Sequence, residues 1–96
     1  MNRNQPGGIT GRLAHVLVNY STKVRPGDLV VIQCDPVALP MVEALTEAVL
    51  EAGGHPHWHA RSDAVEEIIA ERGNADQLSF ISPLDAHMME TADVRI

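Results

Sequence analysis

From Thr10 onward apolar residues recur at helical spacing, with Leu13, Val16, Leu17 and Tyr20 at i, i+3, i+4 and i+7. This predicts a first helix with Thr10 as its N-cap, after a loose polar arm over residues 1–9 that holds Pro6, Gly7 and Gly8. Arg25-Pro26-Gly27-Asp28 reads as a turn, in which Pro fixes one φ and Gly supplies the permissive next position. Leu29-Val30-Val31-Ile32 shows no polar alternation, the pattern of a strand buried on both faces. A second helix is predicted from about Pro36 to Ala52. Its apolar face comprises Ala38, Met41, Val42, Leu45, Ala48, Val49 and Ala52, with Glu43, Glu47 and Glu51 opposite. Gly53-Gly54 supplies the stop.

A histidine-rich stretch, Gly53-Gly54-His55-Pro56-His57-Trp58-His59-Ala60, follows and reads as a strand with Pro56 at its entry, where no ladder donor is required. Asp63 with Glu66 three residues later resembles a capping box, and Val65, Ile68 and Ile69 give the next helix one apolar stripe before Gly73. Further helix starts stand at Asn74 with Gln77 and at Ser82-Pro83, the latter helix running through Leu84 and Met88 towards Thr91. Asp93-Val94-Arg95-Ile96 opens like another strand. The order αβαβαααβ predicts the α/β class: a small parallel sheet with helices on its faces, one domain over residues 10–96, cut off after the start of a third strand.

Composition narrows this further. Hydrophobic residues make up 45% of the chain, but Phe, Tyr and Trp occur once each, so the core is aliphatic and suits helices on a parallel sheet. Thirteen acidic against seven basic residues give a formal charge of -6, which argues against a phosphate-tracking nucleic-acid surface. No apolar run approaches a membrane span, and MNRNQPGGITGR has no apolar signal core, so a soluble intracellular protein is expected. The lone Cys34 has no partner for an internal disulfide.

Candidate chemistry centres on two places. On a strand, His55, His57 and His59 share one face, which is how some zinc sites begin, and Cys34 or Asp35 would be further ligands. Against this stands an ordinary strand with half-exposed histidines, unsupported by a His-Glu-x-x-His or Cys-x-x-Cys pattern. In a parallel sheet, Cys34, Asp35, His59 and Ser62 would gather at the carboxyl edge, where open α/β sheets bind small ligands. Cys34 at a strand-to-helix junction is a nucleophile candidate, or a small buried hydrophobe. The loop Cys34–Pro40 has no glycine, which excludes a dinucleotide fingerprint or P-loop there. The Glu43, Glu47 and Glu51 row is most simply a solvated helix face.

The run Leu17-Val18-Asn19-Tyr20-Ser21-Thr22-Lys23-Val24-Arg25-Pro26-Gly27-Asp28-Leu29-Val30-Val31-Ile32 has a specific resemblance, extended by Ala38-Leu39-Pro40-Met41-Val42, Glu51-Ala52-Gly53-Gly54-His55-Pro56 and Glu90-Thr91-Ala92-Asp93-Val94-Arg95-Ile96. Over roughly residues 13–96 the chain resembles the N-terminal region of thermophilic-type metallo-aminopeptidases, the aminopeptidase T and S family. The resemblance implies a cytoplasmic, homodimeric exopeptidase that removes N-terminal residues from peptides with two divalent metal ions (zinc, cobalt or manganese). It implies that the ligands, a set of Glu, His, Tyr and Asp residues, lie in a longer C-terminal region. No catalytic residue is carried over onto this chain, which is expected to be inactive alone and to have the remainder of the enzyme as its partner.

Overall fold

The computed structural model describes residues 8–96, so the predicted arm lies outside it except for Gly8 and Ile9. Helix α1 spans Ile9–Val16 and widens into a π-helical turn, Leu17–Ser21. Thr10 is not its cap. Gly8 flanks the helix without a side-chain cap bond, and its carbonyl accepts from the Arg12 N–H at 2.9 Å. The buried face also differs from the expected stripe. Ala14 and Val18 are buried and Leu17 half-buried, while Leu13, Val16 and Tyr20 face outward. The reason is size: Ala14 meets Ala44 and Ala48 in one core cluster, and small side chains let two helices approach closely. At the π turn the Thr22 N–H and hydroxyl both donate to the Leu17 carbonyl, at 3.0 and 2.8 Å.

Strand β1 covers Leu29–Cys34, with Val30, Val31 and Ile32 buried as expected of a central strand. Asp28 tightens the preceding turn, its carboxylate accepting from the Arg25 N–H at 2.9 Å. A 3₁₀ turn, Pro36–Ala38, leads into α2, Leu39–Glu51. The predicted second helix is thus two pieces, and its apolar face holds: Val42, Leu45, Ala48 and Val49 are buried, joined by Ala44. Glu47 and Glu51 are exposed and Glu43 half-buried.

Strand β2, His55–Ala60, pairs parallel with β1 from Leu29↔His55 to Cys34↔Ala60. Helices α3 (Asp63–Arg72), α4 (Ala75–Ser79) and α5 (Pro83–Thr91) then lead to β3, Val94–Arg95, parallel to the other side of β1. Ser62, not Asp63, caps α3, accepting from the Val65 N–H at 3.4 Å. Asn74 and Gln77 form a reciprocal capping box on α4, and Ser82 caps α5 with Pro83 in its first turn. Asp93 fastens β3, its carboxylate accepting from the Leu29 N–H at 2.8 Å.

The result is an α/β fold with a three-stranded parallel sheet in the order β2-β1-β3. The core lies between α1, α2 and the sheet face that carries Val30 and Ile32. Helices α3 to α5 bury no residue, and the Val65, Ile68 and Ile69 stripe stays more than half exposed. Among the described residues no helix is long and apolar enough to cross a membrane.

Candidate functional site: the carboxyl edge of the sheet

The chain leaves β1 through α2 towards β2, then returns through α3 to α5 to the opposite side of β1. Connections that diverge from one strand in this way open a crevice beyond its carboxyl end. Side-chain parity decides what reaches that crevice from each face. Gln33↔His59 and Val31↔His57 lie on one face, and Cys34↔Ala60 and Ile32↔Trp58 on the other.

The histidine row therefore exists as expected, with His55, His57 and His59 on a shared face. His55 and His57 are exposed and His59 is half-buried. The His59 Nδ1 lies 3.5 Å from the Gln33 side-chain nitrogen, and its Nε2 lies 3.8 Å from Asp85 of α5. Among the described residues no group of three His, Cys, Asp or Glu side chains stands close enough to share a metal ion. The residues present thus do not fit a two-metal centre.

The four residues expected at the edge divide between the faces. His59 and Ser62 line a hollow of about 460 Å³ between the sheet and α3 and α5, with Gln33, Arg61, Glu66 and Asp85 around them. Cys34 and Asp35 are not part of its lining. Cys34 packs half-buried against the core, and its carbonyl accepts from the Arg61 N–H at 3.1 Å and the Trp58 indole at 3.2 Å. Asp35 caps the 3₁₀ turn, accepting from the Val37 N–H at 2.9 Å. Cys34 and His59 occupy opposite faces of the sheet, so they form no thiol–imidazole pair.

Arg61 and Glu66 are hydrogen-bonded as an ion pair at the rim of the hollow. That hydrogen bond, followed by the charge of Glu66 itself, holds the Arg61 guanidinium above its ordinary value. The hollow thus offers a fixed cation, carboxylates, an amide and an imidazole beside the apolar Met88 and Met89. It is suited to holding a small polar group and has no nucleophile paired with a base. Gln33, Glu66 and Asp85 were not foreseen here. Gln33 carried one signal, a polar residue directly after the apolar run, whereas nothing local in sequence ties Asp85 to His59.

A sequence model of one protein family, described as thermophilic metalloprotease (M29), matches residues 10–96. No curated protein matches the chain.

Proposed function

This chain belongs to the thermophilic metalloprotease (M29) family, and on that footing we propose that residues 10–96 form the N-terminal α/β domain of a metal-dependent aminopeptidase. The carrying observation is the family match, which runs from α1 through β3 and so takes in every element of the fold. In this proposal the parent enzyme is a cytoplasmic homodimer that removes N-terminal residues from peptides with two divalent metal ions. The present residues supply no metal ligand to that reaction. One feature bears on the partner. Val65, Ile68, Ile69, Leu78, Phe80 and Ile81 leave α3, α4 and their flanks with an uncovered apolar surface, which suits burial against the remainder of the enzyme.

The test is an aminopeptidase assay on the purified 96-residue chain with a leucine-type substrate and added zinc, cobalt or manganese. No metal-dependent release above the no-protein control is expected. Release that follows the metal and the protein concentration would overturn the proposal.

A further inference from the structure

Among the described residues no strand pairs with the outer edge of β2, the strand that carries the histidine row. We propose that this edge is a zinc-dependent interface between two copies of the chain, with His57 and His59 of each copy supplying four imidazoles to one ion. This inference is independent of the aminopeptidase reading.

Hydrogen-bond parity within β2 sets the register. The His55 N–H donates to Asp28 at 2.7 Å and the Arg61 N–H to Cys34 at 3.1 Å, so odd-numbered residues face β1. Pro56, Trp58 and Ala60 therefore present their backbone groups to the open side. Pro56 is tolerated there because its missing N–H faces no strand among the described residues. Two copies placed antiparallel about a two-fold axis at Trp58 use every donor the edge has. Trp58 exchanges two bonds with Trp58 of the second copy, and each Ala60 N–H reaches the Pro56 carbonyl of the other.

In that register His57 stands directly opposite His59 of the second copy, in a non-hydrogen-bonded pair, and both lie on the same face. Such pairs have Cα atoms about 4.5 Å apart, and His57 and His59 along one strand are about 6.7 Å apart. Four imidazoles hung from that rectangle can close a tetrahedral zinc site with Zn–N distances of about 2.0–2.1 Å. One chain lacks the donors for such a site, because no three potential ligands converge among the described residues. The second copy completes it. His57 is exposed, and His59 has only the long approaches of Gln33 and Asp85 to give up on turning to the metal. Pro56 leaves the Ala60 carbonyl unmatched at each end of the paired edge, so only four backbone bonds join the two copies without the metal.

Sedimentation velocity on the full chain, with and without zinc, is the test. The expected result is a monomer in chelator and a dimer with zinc, at one ion per two chains. His57→Ala and His59→Ala each abolish the zinc-driven doubling of mass, while His55→Ala keeps it. Ala60→Pro removes an outward N–H without touching the β1 ladder. It weakens the dimer while circular dichroism confirms an unchanged monomer. Zinc bound by a chain that stays monomeric, or a zinc-driven dimer that survives in His57→Ala or His59→Ala, overturns the proposal. So does a dimer of equal mass in chelator.

Discussion

Three glycines in two turns show how much one hydrogen in place of a Cβ decides. Gly53 follows α2 at φ 84°, and the N–H groups of Gly53 and Gly54 return to the carbonyls of Leu50 and Val49, each at 3.0 Å. That pair of bonds is the Schellman closure, which satisfies carbonyls the helix end would otherwise leave open. A Cβ on Gly53 would stand 3.1 Å from Pro26 in a left-handed backbone, and one on Gly54 would stand 2.9 Å from Val24 Cγ1. Gly27 shares the left-handed conformation at φ 88°, yet a Cβ there meets nothing within 4 Å. Gly53→Ala is therefore expected to lose more than about 1 kcal/mol in urea unfolding, with Gly27→Ala losing less. Equal midpoints for the two variants would show that the Pro26 contact is immaterial. At this scale the sequence was readable wherever a side chain bonds its own neighbourhood, as at Asn74 with Gln77 and at Ser82. It misled at Thr10 and Asp63, since a capping type of residue lies one or two positions inside each true helix start.

Among the elements, α2 and α3 carry similar apolar stripes with different fates. The stripe on α2 is buried against α1 and the sheet, whereas that on α3 stays more than half exposed. Periodicity states which face a helix would bury, and whether anything covers that face is a matter of tertiary partners. For α1 even the buried face departs from the stripe of large apolar residues, because Ala14, whose smallness admits α2, makes the contact. Local stability should follow coverage. Native-state hydrogen exchange is expected to show amides of β1 and α2 protected to near the global unfolding free energy, and those of α3 to α5 exchanging orders of magnitude faster. Uniform protection across both halves would mean that α3 to α5 are held as firmly as the core.

For the molecule as a whole, the α/β class and the parallel sheet were legible because one uninterrupted apolar strand between amphipathic helices has few other solutions. The site was less so. Strand parity put the histidines on one face, but separating Cys34 from His59 required the pairing register, and joining His59 to Asp85 required the path of α5 across the sheet. The same topology sets an order of assembly. The contact of Gln33 with His59 closes a span of 26 residues, but the bond that fastens β3, from Leu29 to Asp93, closes one of 64. Loop-closure entropy alone makes the longer span costlier by about 0.8 kcal/mol. The β1–α2–β2 unit is thus expected to form in the folding transition state, and β3 to dock afterwards. Substitutions at Val49 should slow refolding, and Asp93→Ala should mainly speed unfolding, as stopped-flow kinetics would show. A Val49 variant that refolds at the unaltered rate would count against this order. During synthesis, β1 leaves the ribosome first, gains β2 on one edge once residue 60 has followed, and keeps its other edge bare until residue 94 does. For that interval the most apolar strand of the protein is a template open to any passing chain.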